Sequence, residues 1–166
     1  SAGNAEEVTV AVGQTARDGH IVPMSYPEGA HGRSWHGNKK ESGTDAVNWG
    51  YNFTEQWQRA LQLDPEFIFI TGWNEWMAVH YDKWSVFSGF DIFADTYNQE
   101  YSRDIEPMKG GHTDNYYYQM ISNIRKFKGV RPPEKPSPAK TISVDGKFLD
   151  WADVRPEFRD TTGDTA

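Results

Sequence analysis

Apolar positions before residue 130 follow two repeating patterns. Glu7-Val8-Thr9-Val10-Ala11-Val12 is β-branched and apolar and predicts a strand. Phe67-Ile68-Phe69-Ile70-Thr71-Gly72 is an apolar run without polar alternation, which predicts a strand covered on both faces, as in a parallel sheet. Between them Phe53, Trp57, Ala60 and Leu61 recur at the spacing of one helix face, with Asn52 or Thr54 as cap and Asp64-Pro65 as stop. Tyr117, Met120, Ile121, Ile124 and Phe127 repeat that spacing. Thr113 or Asp114 can start this second helix and Gly129 can end it, with Arg125, Lys126 and Lys128 placed to favour the C-terminal dipole.

The predicted order is strand, long loop, helix, short turn, strand, long loop, helix. Long strand-to-helix loops with a short return suit a (β/α)8 barrel, which builds its site from the loops on the C-terminal face. A doubly wound open sheet shares the alternation, but its loops are usually about 2–6 residues. A whole barrel takes roughly 250 residues. The expected fold class is therefore α/β, residues 1–130 supplying the last two β/α units of such a barrel. Residues 131–140 hold four of the nine prolines and predict an extended, solvated linker. Residues 141–166 have another texture: Thr141 to Trp151 reads as a strand, an Asp145-Gly146 turn and a second short segment.

Composition narrows the partners. The 166 residues carry a net charge of −7, which argues against a phosphate-driven nucleic-acid binder. The longest apolar run, Phe67 to Ile70, is far short of the ~20 residues of a membrane-spanning helix. A mean hydropathy of −0.78 beside 14% aromatic residues is too aromatic for a disordered tail, and suits a surface where flat rings meet something flat and polar. There is no cysteine, so disulfides and thiolate metal sites are absent. The chain has no signal-peptide pattern at Ser1-Ala2-Gly3-Asn4 and stops inside an apparent structural unit. It is expected to be a piece of a longer protein.

The densest chemistry follows the second strand, in Trp73-Asn74-Glu75-Trp76. A carboxylate between two indoles at the C-terminal end of a barrel strand is costly to bury without a partner, and such an environment suits a general acid on a glycosidic oxygen. Asn74 can bond a sugar hydroxyl, and Trp73 and Trp76 can stack on a pyranose. The plainer alternative is a salt-bridged Glu75 with indoles that pack strand to helix.

Trp73-Asn74-Glu75-Trp76, with Arg103-Asp104-Ile105-Glu106-Pro107 and the helix around Tyr116-Tyr117-Tyr118, resembles the C-terminal end of TIM-barrel glycoside hydrolases related to endo-α-mannosidases, and is similar to WbsX-like proteins of polysaccharide gene clusters. The resemblance covers roughly residues 66–128. It implies a sugar pocket around Glu75, and hydrolysis of an oligo- or polysaccharide by paired carboxylates, with Glu75 first and Glu106 second as catalytic candidates. Two other roles stay open: a non-catalytic glycan-binding protein, and a glycan-synthesis protein of the WbsX-like kind. Met77 to Ile105 departs from the family pattern as a long insertion. It offers His80, Tyr97 and Arg103 as substrate-binding candidates, besides Tyr81, Trp84, Asp95, Asn98, Glu100 and Tyr101.

The first loop adds Trp35 and His36 to the binding candidates. His31 and His36 have no third ligand at a recognisable spacing, and neither a metal nor a cofactor is expected. Gly110-Gly111 lacks a phosphate-loop pattern and reads as a plain turn. Val144-Asp145-Gly146, Asp150-Trp151, Phe158-Arg159-Asp160 and Gly163-Asp164 are similar to the opening of family-nine-like carbohydrate-binding β-sandwiches. A linker running into a tail is the alternative for this segment. A polysaccharide substrate implies an extracellular or periplasmic location, its leader lying upstream.

Overall fold

The computed structural model describes residues 5–17, 19–26, 28–76, 79–130, 132 and 134–157. By contacts the chain divides into two units, Ser1–Gly129 and Val130–Ala166. The first contains, in order, strands β1 (Glu7–Val10), β2 (Ala16–Arg17), β3 (His20–Ile21), β4 (Trp35–His36) and β5 (Lys39–Lys40), helix α1 (Tyr51–Leu63), strands β6 (Phe67–Ile70), β7 (His80–Trp84) and β8 (Phe87–Phe93), and helix α2 (Asn115–Lys128).

β1 and β6 pair in parallel, with Glu7 opposite Phe67 and Val10 opposite Ile70. Side chains alternate across a strand, so Val8, Val10, Ile68 and Ile70 share the face that joins the core. There they meet Phe53, Trp57 and Ala60 of α1, Tyr116, Met120, Ile124 and Phe127 of α2, and Ile105. Both helices thus cover one face, each through the apolar side that its periodicity predicts. The other face differs from expectation: Phe67 and Phe69 are 49% and 50% exposed. A two-stranded sheet with its helices on one side has nothing among the described residues to cover the second.

Helix ends depart from the predicted caps. Neither Asn52 nor Thr54 caps α1. Gly50 does, in the left-handed region at φ 62°, and Asn52 turns inward, its Nδ2 donating to the carbonyls of His31 (3.2 Å) and Gly32 (2.9 Å). The amide therefore pins the first loop to α1. Asp114 stands at the N-terminus of α2 and Gly129 ends it, with Arg125, Lys126 and Lys128 in the last turn.

The two long loops contain structure of their own. Two short antiparallel ladders, β2 with β3 and β4 with β5, occupy the first. Most of the insertion becomes the β7–β8 hairpin, where His80 pairs with Phe93 and Trp84 with Phe87. Among the described residues no helix is long and apolar enough to cross a membrane.

In the second unit the expected strand at residue 141 onward is absent. Residues 141–148 have no ladder partner among the described residues, and Leu149–Trp151 form a 3-10 turn. A single strand cannot satisfy its backbone groups without a neighbour, and Val144, Phe148 and Leu149 stand exposed. The proline-rich stretch is not wholly free: Ser137 N–H donates to Arg155 O at 3.2 Å, and Lys140 Nζ meets Asp153 Oδ1 at 2.6 Å. Phe158-Arg159-Asp160 and Gly163-Asp164 lie outside the described residues.

Candidate active site

Beyond the C-terminal end of β6 the chain turns at Gly72, whose φ is 78°. A Cβ there would collide with the Arg103 carbonyl, so only glycine lets the two loops come together. Ile105 N–H then donates to Gly72 O and Trp73 O, both at 3.1 Å, and Glu106 N–H to Trp73 O at 2.9 Å. These bonds lay Trp73-Asn74-Glu75-Trp76 beside Arg103 to Glu106, which brings the two carboxylate candidates to one rim.

Trp76 Nε1 donates to Glu106 Oε2 at 2.9 Å. The indole is backed by His112 (centroids 6.0 Å, 23°), which meets the Tyr116 ring edge-on at 4.8 Å. Arg33 lies over the Tyr116 ring, its guanidinium carbon 4.4 Å from the centroid. Trp73 is exposed and meets Tyr117 edge-on at 6.2 Å. Glu75 departs from expectation. Its side chain is exposed rather than enclosed by the indoles, and its backbone N–H donates to Asp104 Oδ1 at 2.5 Å. The indoles diverge because Trp76 is drawn inward by Glu106 while Trp73 remains at the surface.

Beneath the rim lies a buried polar layer. Asp104, fully buried, also accepts from Thr96 Oγ1 (2.5 Å) and Ser102 Oγ (3.3 Å). Arg33, equally buried, donates through Nη2 to Ser102 Oγ (3.0 Å) and Asp104 O (2.5 Å). Glu100 Oε1 accepts from Ser34 Oγ at 2.7 Å. Loss of solvation lowers the Arg33 pKa, and burial pushes the Tyr116 phenol up to about 12. His112 is 1% exposed. Burial first, and then the Arg33 charge, bring it down to about 4, so it is neutral at pH 7. Backbone groups of His112 and Thr113 lie near its ring without hydrogen-bond geometry, and both ring nitrogens lack a partner among the described residues.

The other sequence candidates are placed elsewhere. His80 is exposed and bonded to Asp91 (3.0 Å), stacking on Phe93. Phe93 also meets the Tyr97 ring at 6.0 Å. Arg103 is engaged by Asp95 (3.2 Å) and Thr15 (3.3 Å). His36 stacks on Tyr51 and meets Glu41 at 2.9 Å. Trp35 lines a separate cleft with His31. Asn74 is exposed at the rim. No group of three or more metal-ligating side chains occurs among the described residues. Sequence reasoning missed the roles of Arg33 and Asp104, and His112 altogether. Their partners lie up to 71 residues away, and no local spacing signals them.

No family model, curated protein or solved structure matches the chain.

Proposed function

We propose that the first unit is the C-terminal part of a (β/α)8 glycoside hydrolase that acts on an oligo- or polysaccharide by carboxylate chemistry. The observation that carries this reading is the Trp76 indole N–H on Glu106 Oε2, at the loops following a parallel strand, with Glu75 and the exposed Trp73 beside it. The indole orients one oxygen of Glu106 and leaves Oε1 to meet a substrate. Glu75, in contact with solvent, would serve as the second carboxylate, and Trp73 as the stacking platform. In the same reading residues 141–166 open a carbohydrate-binding β-sandwich, whose strands would form only with the further strands of that domain, and the enzyme works outside the cytoplasm.

Glu106→Gln in the intact enzyme keeps size and the indole contact but removes proton transfer. Loss of a general acid or base costs about 10²–10⁴-fold in rate. An unchanged rate of oligosaccharide hydrolysis in both Glu106→Gln and Glu75→Gln refutes the assignment. The exposure of Glu75 favours one second reading, a glycan-binding rim without a competent pair. In that case both variants weaken sugar affinity and the parent protein shows no turnover.

A further inference from the structure

Helix α1 presents a second face beside its buried one. Asn52, Glu55, Gln56 and Arg59, at i, i+3, i+4 and i+7, line one side of a cleft of about 360 Å³, and β1, the first loop and the β4–β5 hairpin line the rest. None of the residues of the Glu75–Glu106 rim takes part. The volume lies within the roughly 300–1,000 Å³ of small-molecule sites.

The cleft has a fixed floor and available walls. Gln56 holds Ala11 through both amide atoms, accepting its N–H at 3.0 Å and donating to its carbonyl at 2.7 Å. A side-chain amide thus takes the place of a strand partner at Ala11, just beyond the edge of β1 where Val8 and Thr9 border the cleft. On the walls, Arg59 and Asn38 are exposed, and their side chains have no hydrogen bond or ion pair among the described residues. Glu55 Oε2 accepts the Gly37 N–H at 2.9 Å, which leaves Oε1 open. Trp35 is half-buried, with the His31 ring parallel on one face at 3.9 Å and 7°, so a ligand meets the other face or the edge.

An indole beside a guanidinium, a carboxylate and a carboxamide selects among ligand classes. An apolar molecule would strip water from the charged groups without replacing their bonds. An anion would be attracted by Arg59 but opposed by Glu55 one turn away. A neutral ring with an apolar C–H face and adjacent hydroxyls satisfies all of them, stacking on Trp35 and bonding to the planar groups. We propose that this cleft binds a neutral pyranose unit of an oligosaccharide, apart from the rim. The inference stands on these residues and does not require hydrolysis at Glu106.

The test is a ¹H–¹⁵N titration of the whole chain with maltotriose, cellotriose, mannotriose and, as an acidic comparator, trigalacturonate. The expected result is a saturable shift of the Trp35 indole N–H and the Asn38 carboxamide with at least one neutral sugar. Arg59→Ala, on an exposed position that does not threaten folding, should weaken that binding about tenfold, and Trp35→Ala should abolish it. No saturable shift at Trp35 overturns the inference, as does binding that survives Arg59→Ala or a preference for the uronate. Shifts confined to Trp73 and Trp76 overturn it too, while supporting sugar binding at the rim. Inactive Glu75→Gln and Glu106→Gln variants bear only on the rim, so the two readings fail separately.

Discussion

His112 makes the stability of the first unit depend on pH in a calculable way. In the folded chain burial and the neighbouring Arg33 charge hold its pKa at about 4, against 6.5 for an ordinary histidine. The other groups around it do not reverse this: the Asp104 carboxylate acts in the opposite sense but is the weaker influence, and Tyr116 stays neutral. Between those two values the unfolded chain takes up a proton that the folded chain refuses, so stability falls as pH drops through this window. The full gap corresponds to about 3 kcal/mol, of which about 2 kcal/mol is lost between pH 7 and pH 5. With a urea dependence of about 1–3 kcal/mol per molar, the unfolding midpoint should move down by roughly 1 M. Urea titrations followed by tryptophan fluorescence at pH 7, 6 and 5 measure this. His112→Phe keeps an aromatic ring against Trp76 and Tyr116 but has no proton to bind, so its midpoint should fall less over the same range. Equal pH dependence in the two proteins would refute the account, because the acid sensitivity would then arise from other groups.

Two further outcomes follow from positions near the sheet. Gly72→Ala places a side chain at φ 78° and against the Arg103 carbonyl, and should cost on the order of 1–3 kcal/mol, read as a lower urea midpoint and faster exchange of the Ile105 and Glu106 amides. Phe67→Thr with Phe69→Thr acts on the exposed face and should reduce self-association in light scattering while changing the unfolding free energy by less than about 1 kcal/mol per site; unchanged association would show that this face is not adhesive.

The elements legible in the sequence are those whose pattern is local. β1, β6, α1 and α2 each bring apolar residues to one face within a single segment, and that face is where they pack. The β7–β8 hairpin was not legible. Tyr81, Asp82, Lys83, Ser88, Gly89 and Asp91 are all exposed, so hydrophobic alternation gives little sign of either strand. Nor was a two-residue ladder such as β4 with β5. The rim divides in the same manner. Trp73, Glu75, Trp76 and Glu106 stood out as a motif, but the exposure of Glu75 depends on Asp104 gripping its backbone and Glu106 drawing in Trp76. Those contacts join segments about 30 residues apart, and the layer beneath them joins Arg33 to Asp104 across 71. A buried arginine among serines and an aspartate has no sequence periodicity to reveal it.

The parallel register of β1 with β6 sets a schedule for synthesis. Val8 and Val10 gain their partners Ile68 and Ile70 only when a segment about 60 residues downstream has been made. At ribosomal rates of about 5–20 residues per second, that delay is about 3–12 s. Throughout it Val8 and Val10 lack these partners, while α1 can form locally well before the pairing closes. Soluble yield should therefore respond to translation speed and to chaperones that shield extended segments more than to the equilibrium stability of the finished fold.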